Sequence, residues 1–446
     1  MTEMSNWLAR RVEGINILTA KDKHQLKLLL LDFYAAACAG YKQNETFNRG
    51  LETISFARGG KEESSVLFHS GLFPAETAAF MNAAYGHGAE LDDGNKRAMG
   101  HVGTHVIPSV LALAEAEGKS QSDMLVAITA GYEAFIRIAA AAQPGMVQRS
   151  FHSSGMAGAP ASAVACGKLL GLDAEGIENA MSLACTMSSG LLTYSESRQM
   201  IKPINPAHAA QTGVFAARLA RQGIPGPLNC LEGVNGWFRA VTDHVDEEMF
   251  TRESQNGYLI HDCYIKLYPS CRHTHCGIEA AIELHKQISA EDIQSVKVYI
   301  YPNAIRLADI RYPKDRDETK FSIAYTLACA LLYGEYGVDY MDPPRMTEAV
   351  VALIDKIELI PDDSMENRKK GIRGTRVEIL LKSGKKLEKE VLVPKGDPEK
   401  PLNFENVVTK LWNCAGGLVA PERLEQIIRN VKSFGGDKPL VPHTLF

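Results

Sequence analysis

The sequence predicts a mainly α protein, with a large all-α helical domain and a smaller α+β domain. Three observations predict it. From residue 8 to about residue 222, nearly every segment spaces its apolar residues as a helix does. Near Tyr258 the character changes, and alternating, β-branched runs enter. Past a turn-rich stretch at 396–402 the helical spacing resumes, as a return of the chain to a helical domain would require. The domains are read as 1–263 together with 397–446, and 264–396. At 446 residues the chain is also too long for one simple core.

In the first domain, residues 26–38, 77–84 and 107–116 are apolar at helical spacing. Residues 122–141 form a long run, 155–170 and 173–192 continue the pattern, and 206–221 is closed by Gly223 and Pro225. These helices are rich in Ala, Gly and Ser. Small residues let helix axes approach closely, which suits a bundle. In the second domain, 270–289, 321–332 and 347–356 read as helices and 296–301 as a strand. Residues 375–381 and 387–393 form a hairpin across Ser383-Gly384. Gly396-Asp-Pro-Glu-Lys-Pro-Leu reads as a linker, 404–412 and 421–431 as helices, and 435–446 as a loose tail.

Hydrophobic residues make up 45% of the chain and charged ones 23%, the balance of an ordinary soluble globule. A net charge of −5 offers no broad basic surface, so nucleic acid is not expected as a partner. Met1–Gly14 lacks an apolar centre and does not read as a signal peptide. The stretch 26–41 contains Lys27 and Asp32 and is too short to span a bilayer, so no membrane is expected. The nine cysteines are scattered without a C-x-x-C pair. That argues against zinc ribbons, iron–sulfur clusters and a disulfide scaffold, and fits a cytoplasmic protein.

The densest chemistry lies between Gly86 and Pro108. His87, Glu90, Asp92, Asp93, His101 and His105 fall in that span, with apolar helical sequence on both sides. Titratable groups held between apolar helices have shifted pKa values, and proton transfer becomes possible there. A second cluster runs from Lys266 to His275, where Cys271, Arg272, His273 and His275 fall at a helix start that Ser270 would cap.

Six segments in order carry a resemblance. They are Gly86-His-Gly-Ala-Glu-Leu-Asp-Asp, Phe151-His-Ser-Ser, Ile201-Lys-Pro-Ile-Asn, Lys266-Leu-Tyr-Pro-Ser-Cys-Arg-His-Thr-His, Lys320-Phe-Ser-Ile-Ala-Tyr and Gly396-Asp-Pro-Glu-Lys-Pro-Leu. With the helical-then-mixed layout, the chain resembles the MmgE/PrpD family, which includes 2-methylcitrate dehydratase, cis-aconitate decarboxylase and iminodisuccinate epimerase. The resemblance implies a homodimer and cofactor-free chemistry on a small di- or tricarboxylate, in a cleft between domains. It places site positions on Glu90, Gly94, His101, His152, Lys202, Lys266, Cys271, His275 and Tyr325. Three departures stand out: Glu90 replaces a usual aspartate, Gly94 replaces a usual Thr or Ser, and Cys271 stands where the decarboxylase carries a histidine.

Each residue has a bland reading beside the functional one. His101 and His105 are four apart; on a shared helix face they could bind a metal with His87 or Glu90. The stronger reading makes His101 an acid/base group and His105 structural, bonded to a backbone carbonyl. Glu90, Asp92 and Asp93 could be a solvated acidic turn; the resemblance lifts Glu90 and Asp93 to orienting a histidine or lysine. His152 opens a helix, where backbone N–H groups attract a carboxylate. Lys202, in a break between helices, is an anchor or a base. Lys266 is a catalytic candidate, and Cys271, Arg272 and His275 with Lys202 are candidates for holding substrate. A zinc site from Cys271, His275 and Cys276 does not match a known spacing. Tyr325 is either a core residue or a phenol that protonates a leaving group.

The expected activity is a cofactor-independent dehydratase that removes a proton alpha to a carboxylate. The alternatives are an epimerase of a substituted succinate, a non-catalytic carboxylate binder, and a zinc hydrolase built on His87, His101 and His105. No metal or other cofactor is expected.

Overall fold

The computed structural model describes residues 3–43, 45–194, 201–367 and 371–446. It is mainly α, and its contacts fall into two compact units.

The first unit comprises Met1–Gly88, Asp92–Ile265 and Asn403–Phe446. Its helices start where the sequence supplies caps. Thr19 and Asp22 bond reciprocally at the head of helix Ala20–Gln43. Ser120 with Asp123 does the same for Gln121–Ala141, and Asn403 with Asn406 for Phe404–Ala415. Helix Ile204–Arg221 lies against Gly158–Leu170, Ala75–His87 and Ala174–Met187. The small residues make that closeness possible: a Cβ on Gly213 would come within 2.3 Å of the Ser162 Cβ. One short strand pair, Ser64–Ser65 with Leu72–Phe73, interrupts the helices.

Helix Gln121–Ala141 is the one described helix long and apolar enough to cross a membrane, rather than the stretch at 26–41. It is a core helix here. Its Arg137 is fully buried, bonds Glu133 Oε2 at 2.8 Å through Nη2, and donates through Nη1 to the Phe250 and Arg252 carbonyls.

Three expectations for this unit need correction. Residues 155–170 form two helices, Ser153–Met156 and Gly158–Leu170. Pro160 is the third residue of the longer helix, in the first turn that proline favours. The helix expected at 173–192 ends at Met187, because Ser188 turns extended and Gly190 takes φ 133°. The tail is docked rather than loose. The N–H groups of Gln121, Ser122 and Leu440 tie it to the head of helix Gln121–Ala141, and Phe446 stacks on Tyr34 at 4.7 Å.

The second unit comprises Ala89–Leu91 and Lys266–Leu402. Its sheet runs in the order Ile357–Pro361, Ile293–Ile300, Thr375–Leu381, Lys386–Val391. The first pair is parallel and the others antiparallel. Val296, Val298 and Ile300 alternate into a core shared with Val377, Ile379 and helices His275–His285 and Ile323–Tyr333. The sequence reading missed strand Ile357–Pro361. It is a short edge strand that ends in proline, the position where proline costs no ladder bond.

The helix expected at 270–289 is a 3₁₀ turn, Arg272–Thr274, followed by His275–His285. Ser270 does not cap it: its Oγ pairs with the Thr274 Oγ1 at 2.6 Å. The stretch read as a linker at 396–402 is an anchor. Asp397 is buried, and its carboxylate takes the Arg272 guanidinium at 2.5 Å.

Candidate active site

In the first unit, helix Ala75–His87 ends on His87, and helix Gly103–Ala116 begins just after His101. The irregular chain between them is buried, so Asp92 and Asp93 do not form a solvated acidic turn. Asp92 is the hub. Its Oδ2 lies 2.8 Å from His87 Nδ1 and 3.2 Å from His101 Nδ1. The two rings are 4.8 Å apart, and His87 lies 6.0 Å from the ring of His152. Burial alone would raise the Asp92 carboxyl, but His101 and His87 beside it hold it well below the usual carboxylate range.

These contacts fix tautomers. His101 Nδ1 also lies 2.9 Å from the Asp93 carbonyl oxygen. Both neighbours are acceptors, so Nδ1 carries the hydrogen and Nε2 is the basic nitrogen. His152 is the reverse. The Asn205 amide nitrogen lies 3.2 Å from His152 Nδ1 and 3.5 Å from the Leu191 carbonyl oxygen. That carbonyl orients the amide with its NH₂ toward the ring, so Nδ1 accepts and Nε2 carries the hydrogen.

Backbone and hydroxyl contacts hold the rings. The His101 N–H donates to Ser154 Oγ at 2.9 Å, and the His152 N–H to the Gly190 carbonyl at 3.0 Å. His152 precedes a helix of only four residues, Ser153–Met156. Lys202 is half-buried, and its carbonyl accepts the Asn205 N–H at 3.2 Å.

Asp93 does different work from that expected. Its carboxylate takes the Gly103 N–H at 2.8 Å and the Tyr132 hydroxyl at 2.8 Å, while its main-chain oxygen meets His101. Burial, with Asp32 and Asp92 nearby, pushes its carboxyl up to about 7. The expected carbonyl partner of His105 is a hydroxyl, Ser162 Oγ at 3.1 Å. Burial pushes His105 down to about 3, so it stays neutral. His101 lies outside the helix that holds His105, so the two do not share a helix face.

Gly94 has a physical reason to lack a side chain. A Cβ there would meet the Tyr264 hydroxyl oxygen at 2.4 Å and the Gly100 carbonyl oxygen at 2.9 Å. Tyr264 pairs with Gly94 through both backbone hydrogen bonds.

In the second unit, Lys266 is buried. Its Nζ donates to the Glu90 carbonyl at 2.7 Å, with Glu90 Oε1 at 3.6 Å. Cys271 is half-buried and donates its N–H to the Lys320 carbonyl. His275 Nε2 is 3.3 Å from the Ser270 carbonyl oxygen, and Tyr268 meets its ring edge-on. Arg272, expected to hold substrate, is paired with Asp397. Tyr325 fits the core reading. It is fully buried, donates its hydroxyl to the Tyr340 carbonyl at 2.6 Å and accepts the Arg345 N–H at 2.8 Å. Burial raises its phenol above the ordinary tyrosine value.

Among the described residues, His87, Asp92 and His101 form the one group that could hold a metal ion, their ligand atoms within 4.8 Å of one another. The hydrolase trio with His105 is not assembled. A metal held through Nδ1 of both rings would displace the hydrogens that these atoms direct toward Asp92. The sequence reading missed Asp92 and Asn205 as partners of the histidines. It took the second aspartate of the pair for the orienting one, and nothing local marks which of two adjacent aspartates turns toward an imidazole.

Residues 7–249 match the MmgE/PrpD N-terminal domain and residues 268–433 the MmgE/PrpD C-terminal domain. The chain belongs to the MmgE/PrpD family. Among its relatives, the cis-aconitate decarboxylase-like protein oryM of Aspergillus oryzae is 28% identical over 83% of this chain and 81% of its own length. Human cis-aconitate decarboxylase is 26% identical over 81% of this chain and 76% of its own. A 2-methylcitrate dehydratase of Escherichia coli O157:H7 is 28% identical over 45% of this chain and 44% of its own length. Within this MmgE/PrpD protein, all four imidazole and carboxylate groups of the cluster His87, Asp92, His101 and His152 fall inside the N-terminal match.

Proposed function

We propose that this MmgE/PrpD protein is a lyase that dehydrates a small hydroxylated di- or tricarboxylate. The opposite tautomers of His101 and His152 carry the reading. Dehydration needs a base for the proton alpha to a carboxylate and an acid for the departing hydroxyl. His101 Nε2 suits the first role, because the imidazolium it becomes is stabilised by ionised Asp92. His152 Nε2–H suits the second. Lys202 supplies a cation for a substrate carboxylate, which fits its half-buried surroundings. Asp92 is a positioning residue that acts through His87 and His101.

A second reading is decarboxylation of an unsaturated tricarboxylate, favoured by the relatives that align over most of the chain. That reaction needs a proton donor to the carbanion but no base, so it leaves the His101 arrangement without a task.

The test is incubation with hydroxylated and unsaturated tricarboxylates in deuterated water. Dehydration shows as absorbance of a conjugated double bond, lost in both His101→Ala and His152→Ala. Carbon dioxide release from the unsaturated acid alone would favour the second reading. Deuterium in recovered substrate without loss of water would indicate an epimerase. No reaction and no exchange with any acid would overturn the proposal.

A further inference from the structure

Cys185 and Cys230 stand apart from the other thiols. Cys185 lies in the last turn of helix Ala174–Met187, and Cys230 lies in the turn region that precedes helix Trp237–Val241. Their sulfurs are 3.7 Å apart, across 45 residues of sequence. Cys185 is half-buried and Cys230 is buried. Both sulfurs sit on supported backbone. The Cys230 carbonyl accepts the Trp237 N–H at 2.7 Å, and the next N–H, of Leu231, donates to Ser5 Oγ at 3.1 Å. On the other side Ser188 Oγ donates to the Cys185 carbonyl and accepts from Trp237 Nε1.

We propose that Cys185 and Cys230 are a redox-sensitive pair that closes to an intramolecular disulfide when the protein meets a peroxide. A contact of 3.7 Å must shorten to about 2.05 Å, a shift that side-chain rotation and a small movement of one turn can supply. The chemistry balances. One thiolate attacks a peroxide oxygen, the O–O bond breaks, and the departing hydroxide takes a proton to become water. The resulting sulfenic acid is attacked by the second thiol; the S–S bond forms, the S–O bond breaks, and a second water leaves. Two thiols are oxidised and one hydrogen peroxide is reduced. The pair also loses its first proton more readily than an isolated buried thiol, because the hydrogen bond from Cys185 stabilises a Cys230 thiolate against the opposing effect of burial. By contrast, burial pushes up the thiols of Cys38, Cys166, Cys263, Cys276 and Cys329.

The bond would fasten the end of helix Ala174–Met187, and the chain beyond it reaches Gly190 and Leu191, whose carbonyls contact His152 and Asn205. The inference does not depend on the proposed activity, because its test reads sulfur chemistry. The whole protein is exposed to hydrogen peroxide, alkylated in denaturant and mapped without reduction. The expected result is one cross-linked peptide joining Cys185 to Cys230, an intact mass about 2 Da lower, and two fewer alkylated thiols than the nine of the reduced chain. Dithiothreitol should restore all nine. In Cys185→Ser no cross-link should form, and Cys230 should collect as a sulfenic or higher acid. Nine alkylated thiols after exposure, a bond between another pair, or oxygen added to Cys230 of the unaltered protein without a cross-link would each overturn the proposal.

Discussion

Asp92 shows how one carboxylate can set the chemistry of two imidazoles. Replacing it with Asn keeps the size but removes the charge that stabilises a protonated His101. Asp92→Asn should lower turnover about 10²-fold or more, the scale of a lost acid–base contribution, and should move the acid limb of the rate–pH profile. A merely structural role would lower the melting temperature and leave that limb in place. Tyr325 makes the opposite case. Its hydroxyl serves two backbone groups, so Tyr325→Phe should cost about 1–3 kcal/mol of stability in urea unfolding by leaving them unsatisfied. Turnover should stay within about threefold, because general acid–base loss is far larger; a much deeper fall would return Tyr325 to the site. Neither outcome could be read from the sequence. Tyr325 lies in an apolar helix in both readings, and Asp92 and Asp93 are neighbours of the same type.

At the scale of elements, helix Phe404–Ala415 reaches back to the site region across most of the chain. Lys410 Nζ lies 2.5 Å from Asp32 Oδ1, and both groups are buried. Burial raises Asp32 to about 6, and Lys410 pulls it down against that effect. Lys410→Met would leave Asp32 buried without its cation, at a cost of about 3–5 kcal/mol. Chemical denaturation should show it, and Asp32→Leu added to Lys410→Met should recover most of the loss. If the single variant were as stable as the parent, the ion pair would carry no weight. Apolar spacing predicts both helices but not their pairing, because a lone lysine on an amphipathic helix reads as solvated. The helix breaks at Ala157 and Ser188 were missed for a different reason. Small residues support helix and turn alike, and the choice falls to what packs against them.

At the scale of the whole molecule, the buried carboxyls give stability a direction with pH. Burial raises Asp93 from 3.8 to about 7 and Glu115 from 4.5 to about 7. The groups facing Asp93 are Asp32 and Asp92, which add repulsion once it ionises, and the Tyr132 hydroxyl and Gly103 N–H, which partly offset it. A folded pKa above the unfolded one means the folded state holds its proton longer. The stability from that proton is complete below the unfolded value and is lost as pH rises through the folded value. Stability should therefore fall between about pH 4 and pH 7, and melting temperatures in that window should drop less for Asp93→Asn. Equal slopes in the two proteins would remove Asp93 as a source.

The sequence by itself determined the mainly α fold and the family, because spacing and ordered segments are local properties of the chain. It also brought forward the histidines, lysines and acidic residues from which a proton-transfer site could be made. Only the tertiary structure decided which of them meet. Asp92 rather than Asp93 faces the imidazoles, Asn205 sets His152, Asp397 takes Arg272, and Tyr264 fills the space at Gly94. Each of these is a contact between segments far apart in the chain or a choice of side-chain direction. Packing fixes both, and no residue carries either in its own neighbourhood.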